Sequence, residues 1–425
     1  MNSKYLVNRL VNYTTDPLRK NAIFLIANTA GNSILGLFFW TIAARLFPAA
    51  GVGQATALIA AVNLLTSFSG LGMGIGVIRF LADEKDKPGM LNTAVTVVSV
   101  SSLILALVFW LGIDVWTPGL AFLKQNMVLS IIFILFVIVN SVLGLQGSIF
   151  IAFRRAQYCF FQSLITGLRM AILPFLAAFG VYGIFYSWVG GYSVACICSM
   201  VFVFILCSQY RPLTGIKIKI IKKLIRFSFG NYIGDCFKVL PGMVMPLIII
   251  NMLSADMNAY FYIAWMIANL FFVVSYATSF SLLAESPHNV QDLRKQVIKA
   301  VKFIFIILIP AIIVIYFMGE YLLYLFGEKY SVESINLLRI LVISSIPVAI
   351  NEIYVSICRI KKKIVPVIAI YGWVALFTII CSYFLINILG IMGIGIAYLI
   401  GNSITSVFIV FILFRPPVIT NKTKI

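Results

Sequence analysis

Stretch after stretch of about 20 apolar residues runs through this chain, each long enough to cross the roughly 30 Å hydrocarbon core of a bilayer as a helix. Merging the stretches that share one crossing predicts twelve spans, near 21–47, 53–81, 91–112, 126–152, 159–180, 184–208, 225–252, 257–284, 301–318, 335–358, 365–388 and 391–414. Mean hydropathy is +1.06, and 62% of the 425 residues are hydrophobic, far beyond what a water-soluble domain carries. At about 20 residues each, the apolar stretches have the length of helical crossings. The expected fold class is therefore an all-α polytopic membrane protein.

The formal net charge is +19, with 32 Lys and Arg residues. A charge of that size invites a nucleic-acid reading, so its placement decides. Nearly all of these residues lie at the two termini or in every second connection. Those connections hold Arg79, Lys85 and Lys87; Arg154 and Arg155; Arg211 through Arg226; Arg294 through Lys302; and Arg359 through Lys363. The intervening connections hold only Arg45, Lys124, Lys329 and Arg339. The positive-inside rule puts the basic loops and both termini in the cytoplasm. A nucleic-acid partner would need a folded basic face in water, and the sequence provides none. The expected location is the cytoplasmic (inner) membrane, multi-pass.

Met1 to Lys20 is polar and lacks the apolar core of a cleavable signal, so the first span is expected to serve as its own insertion signal. Seven cysteines are scattered within or beside the spans. An odd number in that setting argues for small packing residues and against a disulfide framework.

The chain repeats itself. "NSILGLFFWTIAARLFPAAGVGQATALIAAVNLL" from Asn32 aligns without a gap, 206 residues on, with "KVLPGMVMPLIIINMLSADMNAYFYIAWMIANLF" from Lys238. Asn63 falls over Asn269, and the turn at Pro48 over Ser254. "FIAFRRAQ" matches "VSICRIKK" at an offset of 205, pairing Arg154 with Arg359. The division read from this is an amino-terminal six-helix bundle over 1–208, a basic cytoplasmic linker over 209–223 and a carboxyl-terminal six-helix bundle over 224–425. An even number of spans per half makes a parallel repeat about an axis along the membrane normal. The linker "SQYRPLTGIKIKIIKK" alternates basic and apolar residues. It fits an interfacial segment and a solvated topological linker equally.

Enzyme chemistry finds few parts here. His288 is the single histidine, so no Ser-His-Asp set, zinc cluster or thiolate–imidazole pair assembles. No Walker motif is present, and no cofactor or metal is expected. The longest outer connection, around Gly319 to Ser334, is too short for a catalytic domain. "GLGMGIG" at 70–76 lies in an apolar span without a preceding strand, so a phosphate-binding glycine loop fails on context. Its small residues four apart (Gly70 with Gly74, Gly72 with Gly76) predict close helix packing.

Ionisable groups at the bilayer centre cost about 2.5–3.5 kcal/mol and normally face a bundle interior or cavity. Arg169 lies fourteen residues past Arg155, about 21 Å along a helix, too deep to snorkel to either surface. It is read either as a cavity cation or as a group bonded to carbonyls near Pro174. Lys238 lies about 18 Å past Arg226, with Asp235 one turn earlier on the same face. That pair is either self-neutralising or part of a substrate site. Glu352, with Asn351 beside it, is a candidate coupling site for a cation or proton, as is Asp235; the competing reading has Glu352 facing cytoplasmic water. Repeat symmetry sets Asn32 opposite Lys238 across a shared space. Asn63, Asn140 and Asn269 fit either sugar hydroxyls or interhelical hydrogen bonds. Arg45 and Arg79 are read as interface anchors. Span seven is punctuated by Pro241 and Pro246, which favour kinks, while span one has only Gly31 and Gly36.

"FFWTIAARLFPAAGVGQATAL" followed by "LTSFSGLGMGIGVIRFLAD" resembles the opening of Wzx-type polysaccharide flippases, a branch of the multidrug/oligosaccharidyl-lipid/polysaccharide exporter (MOP) superfamily. In that family an Arg ends span one, a turn with glycine or an aromatic follows, and a Gly-Leu pair and a later Arg close span two. Here those are Arg45, Gly51 to Gly53, Gly70–Leu71 and Arg79. The resemblance implies a MATE-like pair of six-helix bundles around a central cavity. It implies a substrate that is a polyprenyl-diphosphate-linked oligosaccharide, flipped by alternating access for cell-surface polysaccharide such as the O-antigen of lipopolysaccharide. Lys238 and Arg169 would then hold the diphosphate, with Asp235, Asn32, Asn63 and Asn269 in the same cavity. Implied partners are that lipid-linked oligosaccharide, membrane lipids, a coupling cation or proton, and polysaccharide assembly proteins. Similar lipid II flippases carry two further carboxyl-terminal spans, which counts against a peptidoglycan role. The alternative is a cation-coupled multidrug antiporter of the same fold, for which an acidic cavity is expected.

Overall fold

A computed structural model of the chain describes residues 17–211, 215–284 and 290–414. The polar amino terminus, part of the basic linker, His288 and the basic carboxyl terminus fall outside these. Every regular element among the described residues is a helix, and ten are long and apolar enough to cross a membrane. The order is α1 (Pro17–Leu46), α2 (Ala49–Ser69), α3 (Met73–Phe80), α4 (Lys87–Leu111), α5 (Met127–Ala152), α6 (Ala156–Thr166), α7 (Leu168–Ile172), α8 (Gly183–Leu206), α9 (Ile218–Met252), α10 (Ala255–Ala284), α11 (Val290–Tyr324), α12 (Glu328–Ile343), α13 (Ser345–Ile360), α14 (Ile364–Leu389) and α15 (Ile391–Phe414). A 3₁₀ segment, Leu173–Tyr182, joins α7 to α8.

Local chemistry sets several of these boundaries. Asp86 caps α4 by accepting from the Gly89 amide at 3.0 Å, with Pro88 in the first turn, where a missing N–H costs nothing. Asn126 caps α5 through the Leu129 amide at 3.1 Å. The connection expected around Gly319–Ser334 is mostly helix: α11 runs to Tyr324 and α12 begins at Glu328. Glu320 lies past the apolar run but still within α11, and Glu328 and Lys329 open α12, because polar residues suit a helix that has left the lipid.

The chain forms two compact units. The first comprises Met1–Ile263 with Tyr324–Tyr330, and the second Ala264–Leu323 with Ser331–Ile425. In the first, glycines set the approach of α2 and α3 to α9 and α5. A methyl at Gly72 would meet Ser228 at 2.7 Å, one at Gly76 would meet Leu224 at 2.8 Å, and one at Gly74 would meet Ser148 at 2.6 Å. The predicted packing role of the glycine run therefore holds for these three, while Gly70 meets nothing closer than 3.7 Å. In the second unit, Phe303, Ile306, Ile313, Phe317 and Tyr321 stand exposed along α11, a stripe suited to lipid. All seven cysteines are free thiols.

Three turns recur at matched places. Pro48 and Ser254, 206 residues apart, each accept from the amide four residues on. Arg154 and Lys362 both take a left-handed φ of 56°, each followed by a residue whose amide bonds back to the preceding helix (Arg155 to Phe150, Lys363 to Cys358). Gly180 (φ 59, ψ −136) and Gly390 (φ 58, ψ −143) match as well. The counterpart of Arg154 is thus Lys362, not Arg359, because the offset lengthens by two residues at each later turn.

Candidate functional site

The second predicted span is broken. Helix α2 stops at Ser69, Leu71 and Gly72 adopt φ of 47° and 73°, and α3 starts at Met73. A left-handed Leu is strained by about 1–2 kcal/mol. The break frees carbonyls, and neighbouring hydroxyls take them up. Tyr232 donates to Ser67 and Phe68, both at 2.8 Å, and Ser101 donates to Ser69 at 2.7 Å. Discontinuous helices are where transporters concentrate binding groups, since lipid tolerates irregular backbone only against protein or a cavity.

The fifth predicted span is also irregular. Gly167 separates α6 from α7, and Pro174 opens the 3₁₀ segment. Arg169 sits between these two interruptions and is only 6% exposed. Its guanidinium carbon lies 4.2 Å from the Trp188 ring centre, 5.2 Å from Phe39 and 5.5 Å from Tyr192. Nη1 donates to the Tyr192 hydroxyl at 3.1 Å, and buried Nε has no partner. No carboxylate pairs with it among the described residues. Trp40 extends the box, 4.7 Å from Tyr262 and 6.2 Å from Trp188. The sequence reading offered carbonyls near Pro174 as partners; the kinked helix instead turns the side chain onto the aromatic face of α8. Five N–H donors, one hydrogen bond and flat rings are a combination suited to an anion carrying a ring.

The remaining expected positions spread over several places. Asn32 donates to Ser163 at 2.8 Å, bridging α1 to α6. Asn140 donates to Asn63 at 3.3 Å and to Thr66 at 3.1 Å, tying α5 to α2. Asn269 donates to the Trp265 carbonyl within its own helix at 2.7 Å. Asp235 and Lys238 are half-buried, three residues apart on α9. Pro241 and Pro246 lie inside that helix without ending it.

A contact the sequence did not announce joins the first turns of α2 and α10. Asn258, fully buried, donates to the Gly53 carbonyl at 2.7 Å and to Thr56 at 3.0 Å. A methyl on Gly53 would fall 1.6 Å from the Ala255 carbonyl oxygen. Nearby, Arg45 donates to the carbonyls of Tyr324 and Leu325, at 2.5 and 2.9 Å, capping the end of α11. Gly53 and Ala255 are the small residues that let the first turns of α2 and α10 approach.

In the second unit Glu352 is 6% exposed, not turned to water. Tyr371 donates to its Oε1 at 2.8 Å, and Tyr276 and Tyr398 lie near enough to feel its charge. Asn351 beside it bonds the carbonyl and side chain of Asn402. Among the described residues no three His, Cys, Asp or Glu side chains gather as a metal site.

This fold recurs in solved membrane transporters. An inward-facing multidrug resistance MATE family transporter of the MOP superfamily superposes with a TM-score of 0.70 at 16% identity, over 89% of this chain and 92% of that one. Lipid II flippase MurJ in an inward closed conformation gives 0.75 at 14%, over 92% and 87%. A MOP transporter from Pyrococcus furiosus, described by the reverse polarity of its binding pocket, gives 0.63 at 17%, over 94% and 95%. At these identities the likenesses establish the fold, the helical membrane architecture shared by the MATE and MurJ structures. Residues 18–279 match the family described as polysaccharide biosynthesis protein, and the chain belongs to that family. No curated protein matches it.

Proposed function

We propose that this protein flips a polyprenyl-diphosphate-linked oligosaccharide from the cytoplasmic to the outer leaflet of the cytoplasmic membrane, for cell-surface polysaccharide synthesis. The observation that carries this reading is Arg169: a guanidinium 6% exposed, with no carboxylate partner among the described residues, beside Trp188, Tyr192 and Phe39. A diphosphate answers the unspent donors, and the adjoining sugar answers the rings. Lys238 adds a second cation, with Asp235, Asn32, Asn63 and Asn269 as polar lining. Twelve spans in two six-helix bundles, over 1–208 and 224–425 and joined by a basic linker at 209–223, fit the three matched turns. Both termini and the linker would lie in the cytoplasm.

Glu352 supports a second element of the proposal. A buried carboxylate bonded by the Tyr371 hydroxyl can take up a proton or a monovalent cation, so coupling to an ion gradient is assigned to it. The same group favours the competing reading, a cation-coupled multidrug antiporter. Purified protein in proteoliposomes separates the two. A flippase moves the glycolipid and leaves a cationic aromatic dye in place, and an antiporter does the reverse.

A further inference from the structure

A cavity of about 500 Å³ opens where the ends of α3, α5 and α9 meet, at the side carrying the basic loops. Arg79, Asp83 and Arg154 line it together with apolar Ile78, Ile151 and Phe227. Arg79 comes from the last turn of α3 and Arg154 from the turn after α5, 75 residues apart in sequence, and the fold brings them to one hollow. Arg79 has one acidic neighbour, Asp83, at 3.8 Å with both side chains well exposed. Such a pair is weak. The Arg154 side chain has no acidic partner among the described residues. The wall is fixed: Phe80 packs edge-on against Phe227 at 5.0 Å, and Arg79 lies over Phe80 at 5.8 Å. Ile78 and Phe227 are 40% and 44% exposed, so the rim is apolar on the outside as well.

Arg154 is held there by backbone geometry. Its φ of 56° is a conformation glycine adopts freely and arginine adopts at a cost. Two cations against one carboxylate leave a single positive charge in a hollow with apolar walls. A phosphodiester monoanion attached to hydrocarbon matches both properties, with its charge between the guanidiniums and its chains along Ile78 and Phe227. A diphosphate would be left with uncompensated charge.

We propose that this cavity binds the phosphate head of an anionic phospholipid from the adjoining leaflet. The site shares no residue with the Arg169 box, and it does not depend on what the protein transports.

The test is native mass spectrometry of the full chain in detergent, titrated separately with phosphatidylglycerol, phosphatidylcholine and inorganic phosphate. One phosphatidylglycerol should bind about tenfold more tightly than phosphatidylcholine, the scale of a charge-assisted contact, and inorganic phosphate should give no comparable adduct. Arg79→Gln combined with Arg154→Gly should abolish the preference. The glycine relaxes the left-handed turn, so the variant should elute as the parent does and melt no lower. Lys85→Gln with Lys87→Gln removes the same charge from a neighbouring loop and should retain the preference. Equal binding of the two lipids, an unchanged preference in the arginine variant, or an equal loss in the lysine control would overturn the proposal. Inorganic phosphate binding as tightly as the lipid would make this a free-anion site. Displacement by farnesyl diphosphate at lower concentration than phosphatidylglycerol would reassign it to the transported lipid.

Discussion

Arg169 separates two kinds of arginine by where its donors go. A structural guanidinium inside a membrane spends its N–H groups on carbonyls or carboxylates; this one makes a single hydrogen bond and rests on three rings. Cation–π contacts of this sort stabilise by up to about 2 kcal/mol when desolvated. Replacing Arg169 with Leu should therefore shift detergent melting only modestly while abolishing glycolipid translocation. A variant that transports normally would remove Arg169 from the site. The depth of this residue was legible in the sequence, since fourteen residues past Arg155 fixes it near mid-membrane. Its box was not. Phe39 lies far away in the chain, and aromatic residues in apolar spans look alike until the fold selects among them.

Helices in this molecule are interrupted where the sequence shows only hydrophobicity. The span expected over 53–81 breaks at Leu71, whose φ of 47° carries strain that glycine would not. Leu71→Gly should raise the melting temperature, with a gain of about 1 kcal/mol; a lower melting temperature would mean that the Leu side chain contributes more than its backbone costs. At the first turn of α2 the expectation runs the other way. Gly53→Ala sets a methyl 1.6 Å from the Ala255 carbonyl oxygen, so α2 and α10 must part, and overpacking of this kind costs about 1–3 kcal/mol. Thermal unfolding of the variant in detergent reads that cost directly. Hydropathy located nearly every apolar run because span length is set by the bilayer. It misplaced the 319–334 segment because leaving the lipid does not end a helix.

For the molecule as a whole, charge pattern and apolar length together give the membrane class, and the comparisons narrow it to a MOP-fold member of the polysaccharide biosynthesis family. The basic linker and the loop before α4 are tied together outside the spans. Lys217 pairs with Asp86, and Lys223 with Glu84 at 2.9 Å. Those hydrogen bonds hold both carboxyls below their ordinary range. A lowered folded-state pKa contributes stability that is complete above the usual carboxylate range and is lost as pH falls through the folded value. Amide protection across 84–89 and 217–223, with exchange referred to the intrinsic rate at each pH, should therefore hold from neutral pH down to the ordinary carboxylate range and fall below it. Loss of protection already near neutrality would contradict the pairing.

The central claim is that Arg169 and its aromatic neighbours receive a sugar diphosphate. The direct measurement is leaflet translocation of a polyprenyl-diphosphate oligosaccharide in proteoliposomes, with a cationic aromatic dye as the parallel substrate and Arg169→Leu beside the parent protein. The parent should move the glycolipid and not the dye, and the variant should move neither. Dye movement without glycolipid movement by the parent would contradict it, and would turn attention to Glu352 and Asp235 as the groups of a drug antiporter.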